Sequence, residues 1–560
     1  MNSLMVKTLD TYGNKFNKEV TDGNAEEILE RAQVYLDSIF RDSIKSLSKD
    51  VNLKYIGCRR ITPEEEFYKL IKPTDTKVDY DISKSDVYVI EFKFEYNGEP
   101  ISRYIYLPFA TRGNIMYISN TPYYISPVLS DTVISPNHRE VFIRLLKDKL
   151  IFKSLERTYI KNGHKVLGYI IHAEILKTIS RDQDTVTRPC TPVSLYIAGQ
   201  HGLRAAFYKY AKIDNVILVN DLTDEIRENY NVYGSSNIRP KNIKACGYVG
   251  HNLKICIHKS IEPTQFMENF IYGLIYALDY YPDITDELLA AYNSNNTEYE
   301  ILAWRKVMGK INYNRGLDEI RLLNNIEDHY TVLQGYMDSL IKNKLAENNY
   351  IVEDFFDLLA LLLSKYNTWL RDNKEFTSTI DNRYIDILYY ILYDIIISFN
   401  KVILGINKRA TKVKNIQYKE INKVLINEFS SRKIFNLIKS TEPALCVKLA
   451  ECSSDILYPK LTSVLEDQWR GNGVKRGKNN KFPQYTKQLK GGDLYLGSLL
   501  FLTKTAPTPR LRCNAYLQYD NESGRLLVPP ELRPVIEKVN DLLLGRTNEK
   551  IDVLDIDLID

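Results

Sequence analysis

The feature that most constrains the fold is a stretch near the amino-terminal end where the hydrophobic period becomes two. Apolar and polar residues alternate along residues 87–96, Asn97-Gly98 follows, and a strand-like run covers residues 102–107. Alternation places side chains on opposite faces of a β-strand, and Asn-Gly favours the two-residue turn of a hairpin. The pattern predicts an antiparallel sheet with Glu91, Lys93 and Glu95 on a solvated face.

Elsewhere apolar residues recur at helical spacing. This spacing predicts an amphipathic helix over residues 25–47 and an almost wholly helical region from 264 to 440. Helices are also expected around residues 139–150 and 444–458. Together with short strands expected at residues 115–119, 123–128 and 494–528, the patterns indicate an α+β multidomain protein.

A length of 560 residues allows several domains. We expect four segments: an amino-terminal helix plus antiparallel sheet (1–150), a mixed α/β region (151–260), a large α-helical domain (261–440), and a carboxy-terminal region with a helix, a basic loop and a β-rich part (441–560).

The composition excludes several classes of protein. With 44% hydrophobic and 26% charged residues, the chain is neither disordered nor collagen-like. Its seven cysteines include no Cys-x-x-Cys pair, which is typical of free thiols in a reducing compartment such as the cytoplasm. The apolar stretch 385–406 is interrupted by Asp386, Asp394, Asn400 and Lys401, so it predicts a core helix and not a membrane span.

One candidate site is an acid followed by a Glu-x-Lys pair. Asp79 or Asp81, with Glu91 and Lys93, has the residue types of a Mg²⁺-dependent nuclease, in which carboxylates hold the metal and the lysine orients water. The competing interpretation is a solvated strand face with ordinary charge pairing.

Cys246, His251, Cys256 and His258 are close in sequence and are residue types that bind zinc. Their spacing matches no zinc finger or ribbon, and the chain contains no His-Glu-x-x-His or Gly-x-Ser-x-Gly motif. We therefore predict no catalytic, metal-binding or cofactor-binding residue in this chain.

The strongest functional signal is a basic segment, defined here as residues 470–490, which contains seven cations and no acid. Phe482 and Tyr485 interleave with the cations, as in surfaces that stack on bases and contact phosphates. The alternatives are a solvated loop or a contact for an acidic protein. The predicted nucleic-acid-binding residues are Arg470, Lys475, Arg476, Lys478, Lys481, Lys487, Lys490, Arg510 and Arg512.

Residues 106–129 resemble part of the amino-terminal half of the β subunit of multisubunit RNA polymerases. In that family a block of Pro, Thr, Gly, Asn-Gly-Thr and Leu positions leads from one strand pair to the next. Pro122-Tyr123 stands here where the family has Glu-Arg. The comparable positions are Pro108, Thr111, Gly113, Asn120, Thr121 and Leu129.

Residues 460–468 are similar to the helix that precedes the basic fork loop of the same subunit, through Leu461, Asp467 and Gln468. The resemblance implies a divergent β-subunit amino-terminal part, as in large phages with split polymerase subunits. It implies that the chain lines the DNA channel, contacts DNA, RNA and other polymerase subunits, and holds no catalytic metal. Mg²⁺ would then belong to a partner subunit.

Two other functions remain open at this point. The excess of Tyr (41) over Phe (19) suggests an AT-rich genome such as that of a large phage, so a phage virion or assembly protein is one alternative. The second alternative is the nuclease that uses Glu91 and Lys93. The expected location is the cytoplasm, that of the host for a phage protein, or packaging in the virion, with no membrane association.

Overall fold

A computed structural model describes residues 25–48, 50–71, 84–110, 115–125, 128–131, 133–136, 140–145, 149–173, 175, 189–236, 250–312, 318–334, 336–337, 339–371, 383–386, 388–410, 413 and 416–430. Beyond residue 430 it describes residues 446–448, 462–465, 510–512, 518–519, 526–528, 530–531 and 533–543.

Strands and helices of these residues are numbered in chain order. The strands are β1 (Leu53–Arg60), β2 (Val87–Tyr96), β3 (Glu99–Pro108), β4 (Ile115–Ile118), β5 (Thr121–Ile125), β6 (Val128–Asp131), β7 (Ile134–Pro136), β8 (Glu140–Arg144), β9 (Lys149–Lys161), β10 (His164–Ala173), β11 (Val216–Val219), β12 (Tyr230–Ser235), β13 (Lys254–His258), β14 (Arg383–Asp386), β15 (Cys446–Lys448), β16 (Thr462–Leu465), β17 (Arg510–Arg512), β18 (Gln518–Tyr519) and β19 (Leu526–Leu527). The α-helices are α1 (Ala25–Ile44), α2 (Pro63–Glu66), α3 (Val193–His201), α4 (Leu203–Ala211), α5 (Asp224–Asn229), α6 (Gln265–Tyr280), α7 (Thr285–Asn293), α8 (Thr297–Asn312), α9 (Glu319–Gln334), α10 (Ser339–Ala346), α11 (Phe355–Arg371), α12 (Leu388–Ala410), α13 (Tyr418–Glu428) and α14 (Arg533–Leu543).

The chain forms two compact units. Unit 1 combines Met1–Thr132 with Lys374–Asp560, and unit 2 is the continuous stretch Val133–Asn373 inserted between them. Both contain helices and mainly antiparallel sheets, which confirms the predicted α+β multidomain class. The finer division into four segments stays a prediction.

The predicted hairpin is present in unit 1. β2 and β3 pair in an antiparallel register, and Asn97 and Gly98 both have positive φ (51° and 87°), as a type I′ turn requires. β1 completes a three-stranded sheet whose apolar face packs on α1 and α12, where Phe40 stacks on Phe399 with ring centroids 3.9 Å apart.

Side chains of α1 cover the outer edge of β1. The Gln33 amide donates from Nε2 to the Cys58 carbonyl and accepts from the Arg60 backbone N–H at Oε1, as a neighbouring strand would. Arg41 donates to the Ile56 carbonyl further along the same edge. The helix thereby occupies backbone groups that could otherwise pair with another chain.

The expected helix at residues 444–458 is wrong at its start, because Cys446–Lys448 is strand β15 and pairs with β5. Cys446-Val447 is an apolar pair that fits a strand as well as a helix, and pairing with distant residues decides the outcome.

Unit 2 contains a seven-stranded sheet in the order β11-β13-β12-β9-β8-β7, with β10 paired to β9. The helix expected around residues 139–150 is wrong, because this segment forms β8 and the start of β9. Val141, Phe142 and Ile143 are consecutive apolar residues without a clear period, and they pair with β9 residues at and just beyond the end of the predicted helix.

Helices α3, α6, α8, α9 and α11 form most of the remaining core of unit 2. α6 is buried along nearly its whole length, and Tyr272 on it stacks on Tyr159 of β9 with centroids 4.5 Å apart. Gly168 of β10 lies against these two rings, and a Cβ there would be 2.6 Å from Tyr272 and 2.8 Å from Tyr159. The absence of a side chain allows the helix and sheet to approach closely.

Within the described residues, none of the helices combines the length and apolar character needed to cross a lipid bilayer.

Candidate nucleic-acid interface and other candidate sites

The predicted basic residues are connected to a four-stranded sheet of unit 1, in the order β14-β6-β16-β17. β16 pairs antiparallel with β17, so that Thr462 lies opposite Arg512 and Val464 opposite Arg510. Arg510 and Arg512 are therefore the first and last residues of an edge strand.

The other predicted cations, which lie between residues 470 and 490, are outside the described residues. In sequence, the basic segment belongs to the connection between Leu465 and Arg510. Arg510 is opposite Val464, so that connection starts and ends at the same end of the sheet.

The same sheet joins the two segments that resemble the polymerase β subunit. β6, at the end of the first segment, pairs in parallel with β16, in the second, with Val128 opposite Val464 and Leu129 opposite Leu465. The second resemblance implied a helix, and this expectation is wrong for residues 462–465, which form a strand. Thr462, Val464 and Leu465 are compatible with a strand, and the pairing with β6 stabilises that conformation.

Glu91 lies on β2, the central strand of the three-stranded sheet. Arg59 of β1 and Tyr104 of β3 are its partners on either side in the register. The Arg59 guanidinium donates from Nε to Glu91 Oε2 at 3.0 Å, and the Tyr104 hydroxyl donates to Oε1 at 3.1 Å. Lys69 Nζ and Lys93 Nζ lie 3.7 and 3.8 Å from the carboxylate oxygens.

The expectation that Glu91 is solvated is wrong, since it is only 3% exposed. Burial acts to raise the pKa of Glu91, but the Tyr104 hydrogen bond and the charges of Lys69, Lys93 and Arg59 outweigh it, so the pKa is lowered. The carboxylate is thus charged and already surrounded by three cations. A divalent cation would have to displace or oppose them, which makes the site unsuitable for the metal of a nuclease.

The described members of the Cys and His set, His251, Cys256 and His258, are engaged separately. Cys256 is buried in β13, while the His258 ring shares a 2.7 Å hydrogen bond with Ser260. His251 Nε2 lies 3.2 Å from the Ile275 carbonyl oxygen, and burial lowers its pKa to about 4. Cys246 is outside the described residues, and among those that are described no group of three metal-ligand residues occurs.

A polar cluster that sequence reasoning missed joins α3, α4 and α11. Tyr210 donates to Asp357 Oδ1 at 3.0 Å, so its oxygen accepts from His201 Nε2, 3.2 Å away. Lys209 Nζ lies 2.7 Å from the same Asp357 oxygen. Burial lowers the pKa of His201, which keeps the ring neutral. Each group is committed to its neighbour and no nucleophile is present in the cluster, so it links the helices.

Comparison with known protein families gives one finding. The sequence matches the model of a family described as non-virion RNA polymerase subunit over residues 4–541. No curated protein matches the sequence.

Proposed function

The chain belongs to the non-virion RNA polymerase subunit family, and from this membership we propose that it binds nucleic acid through its basic segment inside a multisubunit, DNA-directed RNA polymerase. Its role is non-catalytic. Other polymerase subunits are its partners, DNA and RNA are its ligands, and Mg²⁺ is held by a partner subunit.

The observation that carries the proposal is the linkage of the basic segment to β16 and β17. Seven cations without an acid would repel one another in a free loop, and DNA or RNA phosphates would compensate their charge. The connection that contains this segment starts at Leu465 and ends at Arg510, both at one end of the same sheet. This arrangement supports a phosphate-binding surface more than a freely solvated loop.

The finer form of the proposal is a place like that of the amino-terminal part of the β subunit, lining the DNA channel. The insertion of unit 2 into unit 1 supports it, because that family also has an inserted lobe, and so does the β6–β16 pair. The strand at Thr462–Leu465 opposes it, because a helix is expected there.

The alternatives have less support. The family description, non-virion, opposes a virion protein and favours the host cytoplasm as the location. The three cations around Glu91 oppose a nuclease.

The test is a salt titration of DNA binding by the purified polymerase complex. We compare the wild type with K475E/R476E/K478E and with K165E/K419E/K423E, a control that reverses three exposed lysines elsewhere. The first variant should bind more weakly, and the slope of log K against log salt should flatten by roughly 2–3, because each phosphate contact contributes about 0.9. The control should keep the wild-type slope.

An equal loss in both triple variants would mean that the effect comes from net charge and would contradict the proposal. For the β-like form, the purified complex should contain a large subunit with an Asp-x-Asp-Gly-Asp motif. A complex that also contains a separate chain with a complete β-type amino-terminal half would contradict that form.

A further inference from the structure

Two hairpin turns of the structure are made of the same residue pair, Asn-Gly. Asn97-Gly98 joins β2 to β3 in unit 1, and Asn162-Gly163 joins β9 to β10 in unit 2. The φ angles are 51° and 87° in the first turn and 50° and 79° in the second, and all four residues are exposed. The sequence has one more such pair, Asn472-Gly473, which is outside the described residues. The two described turns thus share their sequence, their φ angles and their access to water.

The turns differ in how the asparagine is held, and Asn162 is held firmly by β12. Asn162 Nδ2 donates to Asn231 Oδ1 at 2.9 Å, and Asn162 Oδ1 accepts from the Val232 N–H at 2.7 Å. The backbone N–H of Asn162 also donates to the Val232 carbonyl, at 2.9 Å. A rotation of this side chain or of its backbone therefore has to break hydrogen bonds with a neighbouring strand.

Asn97 is held only weakly. Its backbone N–H donates to the Asn52 carbonyl at 3.4 Å, which is long for a hydrogen bond. Within the part of the chain that the structure describes, the side-chain amide of Asn97 has no hydrogen bond. The space beside Gly98 is open as well, since a Cβ added there would meet no atom within 4 Å. The Asn97 side chain can therefore rotate without breaking a hydrogen bond.

An asparagine that precedes glycine can react with its own backbone, because glycine has no side chain to shield its nitrogen. At Asn97 the deprotonated Gly98 nitrogen would form a bond to Cγ, the Cγ–Nδ2 bond would break, and ammonia would leave. Water then opens the resulting succinimide ring at either carbonyl, which gives aspartate or isoaspartate at position 97. The side chain has to swing towards the nitrogen and the backbone has to leave the turn conformation, so the rate depends on local opening of the turn.

We propose that Asn97 is a site of spontaneous deamidation in the folded protein, whereas Asn162 is protected by its hydrogen bonds to β12. Either product at position 97 adds a negative charge between Glu95 and Glu99. Isoaspartate also lengthens the main chain, which a two-residue turn with a fixed strand register does not accommodate. The modification would therefore loosen the β2–β3 hairpin. The inference is independent of the proposed function, because neither turn belongs to the basic segment.

The experiment incubates the full-length protein at mildly alkaline pH and follows both asparagines over time by peptide mass spectrometry. Digestion in isotopically labelled water identifies any deamidation that occurs during sample preparation. The same chain unfolded in guanidinium chloride is the reference, in which the two Asn-Gly pairs should react at similar rates. In the folded protein Asn97 should react roughly tenfold or more faster than Asn162, because opening the second turn costs two additional side-chain hydrogen bonds.

Asn231→Ala tests the cause of the difference, because it removes the acceptor of Asn162 Nδ2. It should speed the deamidation of Asn162 by about threefold to tenfold and leave the rate at Asn97 unchanged. The inference is overturned if the two sites react at equal rates in the folded protein, if Asn162 reacts faster, or if Asn97 stays intact while the unfolded chain is deamidated. An Asn162 that remains as slow in Asn231→Ala as in the wild type would show that its protection does not come from this bond.

Discussion

Leu465 pairs with Leu129 in a parallel register, although the two residues belong to opposite ends of the chain and all of unit 2 lies between them. A parallel pair cannot be closed by a tight turn and requires a long connection. β16, the strand that precedes the basic segment, is therefore held against β6 by one of the most non-local contacts in the molecule. The loop-closure entropy of such a contact must be overcome before the sheet forms.

Unit 2, in contrast, is continuous in sequence, and this predicts independent folding. Residues 133–373 expressed alone should show a cooperative thermal transition with mixed α and β circular dichroism, because the sheet and its helices are all within that range. Residues 1–132 alone should show no cooperative transition. In that fragment Phe40 lacks its stacking partner Phe399, and β6 lacks the strands β14 and β16 with which it pairs. A fragment 133–373 without a cooperative transition would contradict the prediction.

The ion cluster at Glu91 predicts a stability effect. Glu91→Gln should destabilise the protein by about 2 kcal/mol, because it removes a buried charge that faces three cations, although the partly exposed cations are rehydrated in part. Glu95→Gln is the control, as Glu95 is on the same strand and its ion pair with Lys54 is long, at 4.0 Å. That change should cost less than about 0.5 kcal/mol.

The lowered pKa of Glu91 also predicts how the stability of the protein depends on pH. Since the folded-state pKa of Glu91 is lowered, its contribution is present above the unfolded pKa of about 4.3 and is lost as the pH falls through the folded value. Between pH 5 and pH 2 the stability of Glu91→Gln should therefore fall less steeply than that of the wild type in urea titrations. Parallel curves would show that the charge of Glu91 does not stabilise the fold.

Local patterns in the sequence were sufficient for the hairpin at Asn97-Gly98, because adjacent residues determine both the turn and the pairing. Local patterns did not predict that the side chain of Glu91 is buried. Alternation correctly separates it from the aromatic face, but its burial depends on Arg59 from β1 and Lys69 from the segment after α2. Likewise β16 is a strand because it pairs with β6, which is distant in sequence and which no local period encodes. β8 pairs with the neighbouring β9, but its run of consecutive apolar residues has no period that distinguishes a strand from a helix.

Among the candidate sites, the sequence predicts the basic segment, because clustered charge is a local property, and that site stays a prediction. Sequence reasoning missed the polar cluster of His201, Tyr210 and Asp357, which come from three helices. No sequence spacing links Asp357 to the other two residues, which are at least 147 positions earlier in the chain.

Gly168 predicts a packing effect that can be tested with a matched glycine. Gly168→Ala should cost about 1–3 kcal/mol, because its Cβ would overlap the stacked rings of Tyr159 and Tyr272. Gly234→Ala, in β12 of the same sheet, places a Cβ at an ordinary 3.6 Å from Lys254 and should be neutral or slightly stabilising. Equal effects on the midpoint of urea unfolding would contradict this account of Gly168.

The last prediction concerns Glu300 of α8, which caps the start of a different helix, α4. α4 begins after Gly202, which has no side chain to cap it, and the Leu203 N–H donates to Glu300 of α8. Trp304 Nε1 donates to the same carboxylate oxygen at 3.3 Å. Glu300→Ala leaves both donors buried without an acceptor and should cost about 2–3 kcal/mol.

Glu300→Gln removes the negative charge of the side chain but keeps an oxygen that accepts hydrogen bonds. Burial raises the pKa of Glu300, against the opposing effects of Leu203, Trp304 and Arg204, so the ionised form is disfavoured in the folded state. The wild type should therefore gain stability as the pH falls from the folded pKa towards about 4.3, and the glutamine variant should lack this gain. Glu298→Gln, at an exposed position of the same helix, should keep the wild-type pH profile. If the curves for Glu300→Gln and Glu298→Gln coincide across that interval, the carboxylate of Glu300 titrates as it would in water and its role is limited to accepting hydrogen bonds.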